Sequence, residues 1–112
     1  MRVILESPYS GREGPILDRN VRYARQCLMD SISRGESPFS AHLLYTQVLD
    51  DNIPEQRSRG MALARPWYEV ADLCAVYIDL GITRGMEAGI AHAESLEIHL
   101  EERRLGHDEY IR

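Results

Sequence analysis

Cysteine is scarce in this sequence, and its scarcity excludes two kinds of protein. Cys27 and Cys74 are the only cysteines in 112 residues, and neither a CxxC motif nor a nearby pair of histidines accompanies them. A disulfide-stabilised secreted domain has more cysteines than this, and a structural zinc site needs closely spaced ligands. We therefore predict two reduced thiols in the core, with no disulfide, no metal site and no cofactor.

An excess of positive charge and a long hydrophobic run are also missing. The formal net charge is -5, so no basic excess exists to release counterions from a nucleic-acid backbone. A small anionic ligand is compatible with this charge, because a few arginines and helix N-termini can hold a phosphate inside an acidic protein. The apolar run near the start is too short for a signal peptide, and no stretch has the length of a membrane span. The sequence thus predicts a cytoplasmic protein with neither a nucleic-acid nor a membrane partner.

The overall composition is that of a globular protein. Of the residues, 44% are hydrophobic and 28% are charged, which argues against disorder as the main state. A chain of 112 residues is long enough for one core but not for two. We predict a single domain over residues 1–112, in which the polar stretch 103–112 is a loose tail or a contact to a neighbouring subunit.

A strand, a glycine-containing turn and a helix are predicted in succession over residues 73–96. The first part is mostly apolar and β-branched, which is typical of a buried parallel strand that ends at Asp79. Thr83 then suits a helix N-cap, and helical periodicity continues to Leu96. The end of such a strand, the free N–H groups of the turn and the positive end of the helix dipole meet at one corner. This corner is a candidate ligand site.

The remaining elements follow from periodicity and from the residues that begin or end helices. Asp18 or Asn20 is expected to cap a first helix, which ends at Gly35. Pro54 opens another helix, which Pro66 should kink or split in two. Further strands are predicted over residues 2–6, 37–41 and 97–101.

The alternation of strands and helices predicts the fold class. It favours an α/β fold, namely a small Rossmann-like or flavodoxin-like three-layer sandwich with a mainly parallel sheet of four to five strands. No GxGxxG motif follows the first strand. Ligands of such sheets bind at the carboxyl ends of the strands, so the loop 7–11, His42, Asp79 and the turn 81–86 are expected around one crevice.

Several motifs in this order resemble a known family. They are Ser-Pro-Tyr at residues 7–9, Asn20, Pro-Phe-Ser-Ala-His-Leu-Leu-Tyr-Thr at 38–46 and Gly-Ile-Thr-Arg-Gly-Met at 81–86. The chain resembles small phage and bacterial proteins, of the DUF4406 and DUF7768 kind, that belong with the nucleoside 2-deoxyribosyltransferase-like superfamily. The resemblance covers roughly residues 2–100. It implies a Rossmann-like sheet, a homo-oligomer and a pocket for a nucleoside or nucleotide.

The resemblance also implies where a catalytic carboxylate would stand. In enzymes of that superfamily a glutamate on the last helix, four residues after the turn glycine, attacks the anomeric carbon of the sugar. Counting from Gly85, the matching position is Gly89, which has no carboxylate. Glu87 is the nearest acid on this helix, but it lies about 200° around the helix from Gly89. Glu87 also suits the helix dipole as an acidic residue of the first turn, and Asp79 is the other candidate acid, with helix capping as its competing role.

Three functions are compatible with these observations. The leading hypothesis is a nucleotide- or nucleoside-derivative-binding protein with a non-catalytic pocket that sequesters a nucleotide signal. The alternative is an N-glycosidic transferase or hydrolase in which Glu87 or Asp79 is the catalytic carboxylate. A third reading is an assembly or scaffold protein with a vestigial crevice, in which exposed patches on Trp67, Tyr68 and the tail 103–112 matter more than the pocket. The candidate ligand-binding residues are Ser7, Tyr9, Ser10, Gly11, Asn20, His42, Asp79, Gly81, Thr83, Arg84, Gly85, Met86 and Gly89.

Overall fold

The centre of the fold is a sheet of short parallel strands. The computed structural model describes residues 1–9 and 14–106 of the chain. The strands in this part of the chain are β1 (Arg2–Glu6), β2 (Ser37–Phe39), β3 (Leu73–Tyr77) and β4 (His99–Arg103). They pair in parallel in the order β2-β1-β3-β4, so β1 and β3 are central and β2 and β4 form the edges.

Helices cover both faces of this sheet. The helices are α1 (Pro15–Ser33), α2 (Ala41–Leu44), α3 (Pro54–Tyr68) and α4 (Arg84–Ser95). Successive side chains of a strand point to opposite faces, so β1 and β3 supply two separate cores. Tyr23 and Cys27 of α1 pack on one face, whereas Tyr68 of α3 and Met86 of α4 pack on the other. This arrangement confirms the predicted α/β class with a three-layer sandwich and a parallel sheet.

The first helix begins earlier than the sequence predicts. It starts at Pro15, and Gly14 rather than Asp18 or Asn20 is its N-cap. Proline suits the first helical position because the N–H that it lacks would have no partner there. Gly14 has a φ of 129°, which a residue with a side chain adopts only under strain. The predicted end is correct to within two residues, and Gly35 follows with a φ of 80°.

Two later boundaries also differ from the prediction. Pro66 does not split α3, because the helix ends two residues beyond it and little of the hydrogen-bond ladder is affected. The last strand is displaced by two residues from the predicted 97–101. Glu97 has a φ of 58°, and the Ile98 N–H still donates to the Ala93 carbonyl at 3.0 Å. Residues 97 and 98 therefore form the C-terminal cap of α4, although the sequence predicts a strand there.

Both cysteines lie in the core, as predicted. Cys27 and Cys74 are free and fully buried, and they belong to opposite faces of the sheet. Burial raises the pKa of Cys27, and burial together with the charge of Glu6 raises that of Cys74 to about 12. Both thiols are therefore protonated at neutral pH. No helix in the described part of the chain combines the length and apolarity needed to cross a bilayer.

A buried ion pair closes the edge of the sheet at β4. Arg103, which is 5% exposed, binds both carboxylate oxygens of Glu36 at 2.6 and 2.8 Å and donates to Tyr77 Oη at 3.2 Å. It also donates to Glu101 at 2.6 Å. Residue 103 is thus the end of a strand and not the beginning of a loose tail. Residues 104–106 continue from it, and residues 107–112 of the predicted tail lie outside the described residues.

Replacing Arg103 should destabilise the fold strongly. Arg103→Gln leaves the carboxylate of Glu36 without its bidentate partner, and breaking a buried pair in this way costs about 3 kcal/mol of the free energy of unfolding. Urea denaturation measures this loss. Arg104→Gln is the matched control, because Arg104 is the exposed neighbour, and it should change the free energy by about 0.5 kcal/mol or less. Equal effects of the two substitutions would contradict the assigned role of Arg103.

Candidate functional site

A narrow cavity opens at the carboxyl end of β1. It lies between the end of this strand, the α2 segment, the inner face of α3 and the first turns of α4, and its volume is about 80 Å³. The polar side chains that line it are Glu6, His42, Tyr45, Thr46, Asp51, Gln56, Arg57, Arg65 and Tyr68. We call it the Glu6 cavity. The carboxyl end of a central parallel strand is where ligands of α/β sheets bind, so its location agrees with the predicted crevice.

Glu6 is the most unusual residue of this cavity. Its side chain ends β1 and is only 4% exposed. Its Oε2 accepts a hydrogen bond from the Tyr68 hydroxyl, and Oε1 has no hydrogen-bond partner within the described residues. Burial raises the pKa of Glu6 to about 7, although the Tyr68 hydroxyl and the charge of Arg65 each oppose the increase. Glu6 is therefore a carboxyl group that exchanges its proton near neutral pH.

Gly89 of α4 provides the space that the Glu6 carboxyl group occupies. A Cβ atom at Gly89 would lie 2.6 Å from Cδ and 2.7 Å from Oε1 of Glu6, closer than such atoms approach in proteins. The resemblance implies that Gly89 stands where the related enzymes have a catalytic carboxylate. In the structure, the carboxyl group of Glu6 occupies the space beside Gly89. A carboxyl group is thus present beside α4, although it comes from β1.

His42 and Tyr9 form an aromatic pair beside the cavity. His42 is the second residue of α2, whose N-cap is Ser40, and it lines the Glu6 cavity. Its ring stacks on that of Tyr9, with centroids 5.0 Å apart and an angle of 7° between the planes. Burial lowers the pKa of His42, and Arg57 adds to this effect while Asp51 opposes it. The imidazole is therefore neutral at pH 7 and presents a flat, uncharged surface.

Arg57 brings positive charge to the N-terminus of α4. Its Nη1 binds Asp51 Oδ2 at 3.0 Å, and its Nη2 lies 4.0 Å from the position that a Cβ atom of Gly85 would occupy. Gly85 belongs to the first turn of α4, where backbone N–H groups and the helix dipole favour anions. This end of the cavity therefore combines a guanidinium group with a helix N-terminus.

Thr83 begins α4 as the sequence predicts. Its side chain accepts a hydrogen bond from the Met86 N–H at 3.3 Å, which is the expected geometry of an N-cap. Met86 itself is fully buried in the core beneath the sheet, whereas Arg84 is exposed. The turn therefore shapes the start of the helix, and of its predicted residues only Gly85 lines the Glu6 cavity.

Asp79 has protein partners at the end of β3. Its carboxylate accepts hydrogen bonds from Tyr23 Oη at 2.6 Å, from the Leu105 N–H at 2.9 and 3.0 Å, and from the Gly106 N–H at 2.9 Å. Burial raises the pKa of Asp79, but these hydrogen bonds outweigh it and lower the pKa overall. Asp79 neither caps α4 nor lines the Glu6 cavity. It fixes the chain beyond β4 to the sheet.

The structure brings together only part of the predicted site. His42, Gly85 and Gly89 line the Glu6 cavity, and Tyr9 stacks on His42. Glu87, the other predicted catalytic acid, is exposed and does not line the cavity. Ser10 and Gly11 lie outside the described residues. The predicted ligand-binding residues that do not line the cavity are Ser7, Asn20, Asp79, Gly81, Thr83, Arg84 and Met86.

Several residues of the cavity were missed in the sequence. Glu6 carried a usable signal, because it follows three apolar residues of its strand and lies at the edge where ligands bind. Arg65 and Tyr68 are three residues apart and therefore share one face of α3. Tyr68 is buried against Glu6, so it does not belong to the exposed patch that the assembly hypothesis required. Trp67 is exposed, and its ring stacks on Phe39.

Comparison with known families identifies the domain type. Residues 1–103 match the model of a family described as a domain of unknown function, DUF7768. The match extends from the start of the sheet to the end of β4 and includes every residue named in the Glu6 cavity. No curated protein matches the chain.

The burial of Glu6 should make stability depend on pH. Between about pH 4.5 and pH 7 the folded state retains a proton that an unfolded glutamate has lost, so stability falls as the pH rises through this window. The full loss is about 3 kcal/mol. Urea denaturation between pH 4 and pH 8 should show that Glu6→Gln abolishes this dependence. Glu94→Gln, which changes an exposed glutamate of α4, should keep it. A Glu6→Gln protein with the original pH dependence would contradict the assignment.

Proposed function

The chain belongs to the DUF7768 family, and we propose that this member binds a nucleoside or nucleotide derivative in the Glu6 cavity. We also propose that the family belongs with the nucleoside 2-deoxyribosyltransferase-like superfamily. The parallel sheet with its order β2-β1-β3-β4, and a cavity at the carboxyl end of β1, support this relationship. The motif at residues 38–46 contributes His42 and Tyr45 to the wall of that cavity.

The observation that carries the proposal is the buried carboxyl group of Glu6 in an open cavity. Burying an ionisable group destabilises a fold unless the group is fully paired, and among the residues that the structure describes Glu6 has a hydrogen-bond partner on only one of its oxygens. A group with a strongly shifted pKa inside a cleft is a typical feature of binding and catalytic sites. Sugars and nucleobases carry hydroxyl and amino groups that donate to such an oxygen.

The surroundings of Glu6 suit the other parts of a nucleotide. The stacked rings of Tyr9 and His42 offer a flat surface on which a base can continue the stack. Arg57 and the first turn of α4 offer positive charge to a phosphate. A hydrophobic, a hydrogen-bonding and a cationic surface thus meet around one cavity, as they do in the sites of small charged ligands.

The size of the cavity sets the position of such a ligand. Its volume of about 80 Å³ is smaller than the range of about 300–1,000 Å³ that is usual for sites of drug-sized ligands. The enclosed part therefore holds the sugar next to Glu6, while the base and any phosphate lie in the mouth. Binding by itself lowers the free concentration of the ligand, which is the sequestering role that the sequence predicts.

Substitution of His42 should weaken binding of this ligand class. Isothermal titration calorimetry with nucleosides, nucleoside monophosphates and ADP-ribose should identify a ligand, and His42→Ala should raise its Kd about tenfold because a stacking surface is lost. The matched control is His99→Ala, which removes an exposed imidazole of β4 and should leave the Kd unchanged. Absence of binding across the whole panel at high micromolar concentration would overturn the proposed function.

A further inference from the structure

A second concave surface lies beside the edge strand β2, on the face of the sheet that α3 covers. The strands β1 and β2 form its floor, and the C-terminal end of α3 with the residues that follow it forms its wall. We call it the Trp67 groove, and the residues that matter here are Arg2, Ile4, Ser37, Phe39, Trp67 and Val70. Its volume of about 450 Å³ lies within the range of about 300–1,000 Å³ that is usual for small-molecule sites.

One end of the Trp67 groove carries two hydrogen-bond donors. Arg2 and Ser37 are partners in the register of β1 and β2, so the guanidinium and the hydroxyl group belong to neighbouring positions on one face of the sheet. The Arg2 guanidinium donates to the Val70 carbonyl at 3.2 Å, which holds it beside the groove. Within the part of the chain that the structure describes, no carboxylate forms an ion pair with it. Arg2 is also the single charged residue among those that line the groove.

The other end of the Trp67 groove is aromatic. Phe39 follows Ser37 by two residues on the same face of β2, which places it about 7 Å further along the strand. The Trp67 ring stacks on Phe39 with centroids 5.1 Å apart, and its indole N–H donates to the Tyr45 hydroxyl at 2.9 Å. The indole ring is thus held in place, although 47% of the residue is exposed. A fixed and exposed aromatic ring of this kind suits the binding of an apolar group.

We propose that the Trp67 groove binds a carboxylic acid with an apolar body, such as a medium-chain fatty acid. The carboxylate accepts hydrogen bonds from the Arg2 guanidinium and the Ser37 hydroxyl, and the hydrocarbon part lies along the groove against Phe39 and Trp67. The charge of the groove complements this ligand, because its one charged group is a cation that has no anionic partner in the described residues. The distance between the polar and the aromatic end sets the minimum length of the apolar body at about 7 Å.

Pro38 favours a small molecule over a peptide as the occupant. A peptide often binds at a sheet edge by adding a strand, which requires N–H donors on the outer side of that edge. The Ser37 N–H donates to the Met1 carbonyl at 2.8 Å and therefore points toward β1, so the alternation along the strand directs residue 38 outward. Since Pro38 has no N–H, the middle of β2 lacks this donor. Side chains rather than the strand backbone are thus the binding feature of this edge.

The fluorescence of Trp67 tests this assignment directly, because Trp67 is the single tryptophan of the sequence and lines the groove. Titration with octanoate should change its emission in a saturable way. Octanol has the same chain length without the charge, and its Kd should be about tenfold higher. Octylammonium should bind most weakly, since Arg2 repels it. An emission that octanoate leaves unchanged would overturn the proposal, and so would equal Kd values for octanoate and octanol.

Substitution of Arg2 separates recognition of the carboxylate from a structural role. Arg2→Gln should raise the Kd of octanoate about tenfold and leave that of octanol unchanged, because only the charge-assisted hydrogen bond is lost. A purely structural effect would weaken both ligands alike and would overturn the proposal. The matched control is Arg59→Gln, which changes an exposed arginine of α3 outside the groove and should leave both Kd values unchanged. Val70→Asp places a negative charge at the groove on an exposed position and should abolish octanoate binding while the protein stays folded by circular dichroism.

Two other occupants of the Trp67 groove would give different results. A second copy of the chain seated on it would form a dimer in light scattering that Trp67→Ala dissociates. A peptide would bind through a free C-terminal carboxylate more tightly than octanoate does, and its C-terminal amide would bind more weakly. Either result would overturn the assignment to a small acid.

Discussion

The contact between the Glu6 carboxyl group and the backbone of α4 is the constraint on which the candidate site depends. Both residues line the cavity, and only the Glu6 side chain separates the end of β1 from the backbone of α4 at Gly89. The contact requires a glycine at position 89, a tyrosine hydroxyl from α3 and a strand that ends in an acid. Three elements are thus fixed relative to one another by one carboxyl group. Helix packing on a sheet would be possible without it, so the arrangement is specific to the site.

Glu6 and Asp79 lie at the same edge of the sheet, but their pKa values are shifted in opposite directions. Both lie at or just beyond the carboxyl ends of the two central strands. Asp79 accepts hydrogen bonds from Tyr23 and from two backbone amides, which hold it ionised. Glu6 is buried and accepts a hydrogen bond from the Tyr68 hydroxyl, and burial favours its neutral form. Divergent pKa values of this kind distinguish a structural carboxylate from one that exchanges protons.

The sequence predicted the fold better than the site, and the reason is the range of the interactions involved. The strand patterns and the Thr83 N-cap depend on residues that are close together in the sequence, so short stretches of sequence were enough to predict them. The role of Glu6 depends on Tyr68, which lies 62 residues away, and on the backbone of Gly89. The partners of Asp79 are likewise distant in the chain, because they are Tyr23 of α1 and two backbone amides beyond β4. No local pattern encodes such contacts: the position of Glu6 at the end of a strand indicates a residue at the ligand-binding edge of the sheet, but not what its side chain contacts.

The close approach of Glu6 to Gly89 also couples the two positions in evolution. A side chain at position 89 of α4 would need the volume that the Glu6 side chain of β1 fills. An acidic residue therefore fits at position 6 or at position 89, but not at both. Moving it from one element to the other takes two substitutions. Either intermediate is disfavoured, since one order of change creates an overlap and the other leaves the space beside α4 without an acid. Homologous chains should therefore fall into two separate groups, with glycine or another small residue at one of these sites wherever the other is acidic.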